Sequence, residues 1–164
     1  MTVEVIRGDV RQSEARFIVH QVNSVTSTAA GLAAQIFRLF PWADIYSPRA
    51  RALRPYRPRP EELPGQIIVR GDGESERFVI NLVGQFYPGK PKNPDSERDG
   101  YAARERAFAE ALARVLEIPD LKSVAFPSGI GCGLAGGDWK RYRAMIEQFA
   151  SRTQARVLIY EYPG

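Results

Sequence analysis

The stretch from Phe126 to Trp139 carries five glycines in fourteen positions. Glycine lets a backbone turn through positive φ and brings amide N–H groups close to a ligand. Ser123–Phe126 before it reads as a short buried strand, and Asp138 after it opens an amphipathic helical run to about Ala150. A helix start adds unpaired N–H groups and the positive end of its dipole. Strand, glycine loop and helix together suit a phosphate or diphosphate. A connecting loop that needs glycine only for tight packing would look the same. Asp138 is the only carboxylate of the stretch. It can act as a general base on a water, or as the N-cap of the following helix, a role in which aspartate contributes about 1 kcal/mol. For Cys132, a small snug side chain is the simpler reading, because thiol chemistry requires a depressed pKa.

Other polar groups stand at the ends of predicted strands. Asp9 follows the first strand directly. Asn23 closes the run Phe17–Asn23, apolar at first and polar at its carboxyl end, and Gln85 closes a second such run. A small-residue loop at Ala29, Ala30, Gly31 and Leu32 precedes another helical pattern. Ligands of α/β sheets collect beyond the carboxyl ends of strands. Two glycine-bearing loops, one carboxylate and two amides there fit a molecule with a diphosphate in the middle and hydrogen-bonding ends.

The elements that must position these groups alternate. Val3–Ile6 and Phe17–Asn23 read as strands, and Leu32–Phe40 as a helix ended by Pro41. Asp44 to about Leu53 reads as a further short helix. Arg49 to Pro60 is too rich in proline for a helix throughout and is expected as an exposed excursion. Gln66–Arg70 and Arg77–Val83 pair as antiparallel strands, and a polar loop runs from Phe86 to Gly100. In Tyr101–Glu117 the residues Ala107, Phe108, Ala111, Leu112, Val115 and Leu116 make one helical stripe, and Ala155–Tyr160 is the last strand. This alternation predicts one layered α/β domain over residues 1–164.

Composition narrows the class. The 164 residues hold 44% hydrophobic and 26% charged side chains, ordinary values for a globular domain with one core. One cysteine excludes an internal disulfide framework, and one histidine, His20, argues against a His/Cys metal site. No apolar run approaches the roughly 18 residues of a membrane span. The net charge of +4 favours anionic ligands without choosing among them. The expectation is a cytoplasmic, metal-free, cofactor-free monomer with no membrane association.

Across nearly the whole chain, the sequence resembles the macrodomain family. The resemblance is carried by Gly8–Val10, Val19–Asn23, Asn81–Gln85 and, most specifically, Phe126–Leu134. That last segment is similar to the branch containing the terminal ADP-ribose protein glycohydrolases and their bacterial and phage relatives. The resemblance implies a three-layer α/β/α domain with a mixed, roughly six-stranded sheet and ADP-ribose at the carboxyl strand ends. It further implies that Asp9 takes the adenine amino group, with the Val10 backbone beside it, and that Asn23 reaches the distal ribose. Ala30, Gly31 and Leu32 would close on the diphosphate and ribose together with Ser128, Gly129, Ile130, Gly131, Cys132, Gly133 and Leu134.

The chain departs from this branch where the human-type enzyme is catalytic. Its lysine after the fourth strand is here Gln85, and its aspartate after Gly-Cys-Gly-Leu is here Ala135. An amide is no nucleophile, so a lysine-linked intermediate is excluded. The expected catalytic residues are then Asp138 as base or, if Asp138 is only a cap, Asn23 and Gln85 positioning a water with the diphosphate. An ADP-ribosyl hydrolase acting on a modified protein, nucleic acid or small ester is the leading reading. A module that holds ADP-ribose without turnover is the second. A nucleic-acid-binding domain is the third, prompted by Arg49, Arg51, Arg54, Arg57 and Arg59, from which weak, salt-sensitive binding at most is expected.

Overall fold

The computed structural model describes residues 2–163. Its six strands are β1 (Val3–Arg7), β2 (Phe17–Asn23), β3 (Ile67–Arg70), β4 (Phe78–Gln85), β5 (Ser123–Pro127) and β6 (Arg156–Glu161). They form one sheet in the order β1-β6-β5-β2-β4-β3. Every neighbouring pair is parallel except β3 and β4. The carboxyl ends of five strands therefore meet at one edge, where Arg7, Glu161, Pro127, Asn23 and Gln85 lie. The loops after them hold the small-residue and glycine-rich segments.

Three longer helices cover the sheet: α1 (Gly31–Leu39) on one face, α2 (Tyr101–Leu116) and α3 (Trp139–Ala150) on the other. Side-chain alternation along each strand feeds two cores. Phe17, Val19, Ile80, Leu82, Val124, Phe126, Val157 and Ile159 pack under α2 and α3, which contribute Phe108, Leu112, Tyr142 and Ile146. Ile18, Val22, Val79, Val83, Ala125 and Leu158 pack under α1 with Ile36 and Phe37. The central strands are apolar on both faces because both are covered, as parallel strands between helical layers must be. The result is the three-layer α/β/α arrangement with a mixed six-stranded sheet.

Residues 40–66 differ from expectation. The short helix anticipated from Asp44 to about Leu53 is instead one 3-10 turn, Ser47–Arg51, with others before and after it at Pro41–Ala43 and Pro60–Glu62. Pro41 and Pro60 open their turns and Pro48 is second in its own, positions where fixed φ and a missing N–H are tolerated. The excursion is not wholly exposed either. Arg49 is buried at 1% exposure, whereas Arg51, Arg54, Arg57 and Arg59 face solvent. Among the described residues no helix is long and apolar enough to cross a membrane.

Candidate functional site

A cleft of about 540 Å³ opens at the carboxyl edge of the sheet, walled by the ends of β2 and β4, the start of α1, and the loop after β5. The glycine loop gives this cleft its floor of backbone. Amides of Ser128, Ile130 and Cys132 donate to the carbonyls of Tyr160, Pro127 and Gly129 at 2.8, 3.2 and 2.8 Å. The alternating amides of Gly129, Gly131 and Gly133 donate to no protein group among the described residues. Gly129 and Gly131 hold φ of 80° and 76°, a conformation that costs other residues about 1–2 kcal/mol. At Gly131 a β-carbon would also stand 2.6 Å from the Tyr142 ring.

The start of α1 supplies a second array. Its N-cap, Ala30, has no side chain able to accept, so the first-turn amides of Gly31, Leu32 and Ala33 are left for a ligand. Gly31 sits at φ 57°, and a β-carbon there would lie 3.2 Å from Leu134 Cδ1. The two amide-bearing segments thus line the same cleft and meet where Leu134 lies beside Gly31.

Asn23 and Gln85 are register partners across β2 and β4, brought level by an irregularity between Val22 and Asn23. Asn23 is held on all sides. Its N–H donates to Tyr46 Oη at 2.9 Å, and its Oδ1 accepts from the amides of Val25 and Thr26 at 3.0 and 2.8 Å. That leaves the Nδ2 donor for the cleft. Burial pushes the Tyr46 phenol up to about 12, so it stays neutral. Gln85 departs from its expected role. Its Oε1 accepts from Gln21 Nε2 at 2.7 Å, and its Nε2 donates to the carbonyls of Tyr87 and Gly89 at 2.8 and 3.4 Å. Gln85 thus holds the loop after β4 while lining the cleft.

Gln21 was not singled out from the sequence. It stands two residues before Asn23, at the polar end of β2, and that was the available signal. Its Oε1 is buried without a hydrogen-bond partner and lies 3.0 Å from where a Gly131 β-carbon would be. Arg104 of α2 was missed as well. It pairs with Asp99 at 2.8 Å and donates to the carbonyls of Gly89 and Tyr87 at 2.7 and 3.2 Å, fixing the same loop as Gln85.

Four expected site residues lie elsewhere. Asp138 is exposed, and its Oδ1 accepts from the Lys140 amide at 3.0 Å as the N-cap of α3. It is not among the residues that wall the cleft, and the contact it makes is the capping one. Asp9 is also absent from the walls. It forms an ion pair with Arg11 at 2.6 Å and accepts from the Arg11 amide at 2.9 Å. The Arg11 guanidinium holds its carboxyl below the usual range. Val10 is buried against the α1-side core. Cys132 packs against the opposite core, and burial pushes its thiol up to about 11, far from a reactive thiolate.

No carboxylate or amine side chain lines the cleft among the described residues. Its one titratable imidazole, His20, is buried, and desolvation lowers it to about 4, so it is neutral. His20 Nε2 meets Asn81 Oδ1 at 2.6 Å. Among the described residues no group of three His, Cys, Asp or Glu side chains could hold a metal ion.

The sequence matches no protein-family model and no curated protein. Solved structures do resemble it. The macrodomain of Thermus aquaticus DarG superposes with a TM-score of 0.67 at 23% identity, over 99% of this chain and 98% of that one. The macrodomain of Mycobacterium tuberculosis DarG gives 0.69 at 19% identity, over 99% and 98%. Thermosipho africanus DarTG in complex with ADP-ribose gives 0.68 at 17% identity, over 98% of this chain and 42% of that one. The fold of the chain is that of a macrodomain.

Proposed function

We propose that the cleft binds ADP-ribose, free or as the ADP-ribosyl group of a modified macromolecule. The observation that carries this reading is the paired set of unsatisfied amides, Gly129, Gly131 and Gly133 from one loop and Gly31, Leu32 and Ala33 from the start of α1. Such arrays fit the oxygens of a diphosphate, and the α1 dipole adds to the attraction. Asn23 Nδ2 supplies a donor for a ribose hydroxyl. The ADP-ribose complex of the similar Thermosipho africanus protein supports the same ligand.

Retention without turnover is the form of this function that the cleft chemistry favours. General acid–base catalysis needs a group poised to exchange a proton, and among the described residues the titratable side chains on the walls are a neutral His20 and a neutral Tyr46. Hydrolysis of the ADP-ribosyl bond is the second reading, and Asn23 favours it: its Nδ2 donor lines the cleft, where it can orient a water. Calorimetry with free ADP-ribose, beside release assays on ADP-ribosylated protein, nucleic acid and small esters, separates the two. Binding without release supports retention, release supports hydrolysis, and absence of binding removes both.

A further inference from the structure

The arginine- and proline-rich excursion plays no part in the ligand set above, yet one of its arginines reaches the cleft loop from behind. Arg49 Nη1 donates to the carbonyls of Asn23 and Thr26, each at 3.0 Å. Its Nε donates to Glu62 Oε2 at 3.1 Å. The guanidinium lies between the rings of Tyr46 and Tyr56, 5.1 and 5.2 Å from their centroids. Glu62 is fixed in turn, since Tyr56 Oη and the Arg59 amide donate to its Oε1 at 2.6 and 3.0 Å. A charge buried to 1% exposure is tolerated when paired and hydrogen-bonded; here Nη1 and Nε are hydrogen-bonded, and Nη2 stands 3.1 Å from Glu62 Oε2 in the ion pair without a hydrogen bond of its own.

The target of this arrangement is Asn23. Tyr46 accepts from its N–H, Arg49 donates to its carbonyl, and Val25 and Thr26 occupy its Oδ1. Thr26 is itself held by Arg49 through its carbonyl. Every polar atom of Asn23 but Nδ2 is thereby fixed, and the direction of that one donor follows from the others. A planar guanidinium can donate to two carbonyls and a carboxylate while stacked between rings; a lysine ammonium cannot hold that geometry.

We infer that Arg49 is a positioning residue that aims Asn23 Nδ2 at the ligand, with residues 44–62 serving as the brace that holds Arg49. This rests on the reading that the cleft binds ADP-ribose. The test is a double-mutant cycle read by calorimetry with ADP-ribose on folded protein, using Asn23→Ala, Arg49→Lys and the pair. Asn23→Ala is expected to weaken binding about tenfold, the loss of one hydrogen bond. Arg49→Lys is expected to weaken it about fivefold alone and to have no further effect in the Asn23→Ala background. Should Arg49→Lys fail to fold, Glu62→Gln is used in its place, with the same coupling expected. Independent effects that multiply, or an Arg49→Lys protein that binds as tightly as wild type, overturn the inference. Wild-type protein without ADP-ribose binding fails the cleft reading itself, a result distinct from both.

Discussion

Gln21 and Gln85 are joined side chain to side chain, Nε2 donating to Oε1 at 2.7 Å across two adjacent parallel strands. The amide of Gln85 then donates onward to the carbonyls of Tyr87 and Gly89. This relay fixes the loop after β4, which contributes Gly89 and Pro88 to the cleft. Gln85→Glu would turn a carboxylate toward those two carbonyls. It is expected to destabilise the domain by about 1–3 kcal/mol in urea unfolding at pH 7, the cost of leaving buried polar groups unpaired. Unchanged stability would mean that the relay does not hold the loop.

Two glycines of the central loop make an internal control. Gly129 and Gly131 have nearly the same φ, but a β-carbon at Gly129 meets nothing within 4 Å while one at Gly131 meets Tyr142. Gly129→Ala is expected to cost about 1 kcal/mol, from backbone strain alone. Gly131→Ala is expected to cost about 2–4 kcal/mol, since the buried Tyr142 ring must move. Thermal unfolding of the two variants checks the order, and equal losses would remove the packing role of Gly131.

His20 makes stability depend on pH in a defined window. Its folded pKa, lowered to about 4 by burial, lies below the ordinary 6.5, so the unfolded chain binds the proton more readily. Its contribution is complete above about pH 6.5 and is lost as pH falls toward 4. Between pH 7 and 5 it amounts to about 2 kcal/mol. His20→Gln keeps a donor for Asn81 but does not titrate. Urea unfolding of both proteins at the two pH values should show a drop smaller in the variant by about that amount. Equal drops would place His20 in contact with solvent.

Asp138 separates capping from chemistry. Asp138→Ala is expected to cost about 1 kcal/mol of stability and Asp138→Asn only a few tenths, because asparagine also caps. Both should bind ADP-ribose as wild type does, within about twofold, since Asp138 is not a wall of the cleft. A large affinity loss in Asp138→Asn would return it to the site.

What was legible in the sequence was what local chemistry dictates. The glycine spacing of residues 129–137 marks a loop that needs positive φ, and the polar ends of β2 and β4 mark the sheet edge where ligands gather. Neighbouring side chains decided the rest. Asp9 has the position of a ligand group, but Arg11, two residues on, occupies its carboxylate. Asp138 had two readings, and the contact to the Lys140 amide is the capping one. Arg49 looked like its exposed neighbours, because nothing local shows that Tyr46, Tyr56 and Glu62 enclose it. Gln21 lacked a motif of its own, and its orphaned oxygen emerges only when Gly131 of the loop after β5 packs against it.

Calorimetric titration of the wild-type protein with ADP-ribose and, separately, with AMP measures the central claim most directly. Two facing amide arrays built around a diphosphate should give a dissociation constant for ADP-ribose of about one micromolar, near −8 kcal/mol, and binding of AMP weaker by at least about tenfold. No heat with ADP-ribose, or equal affinity for the two ligands, would contradict it.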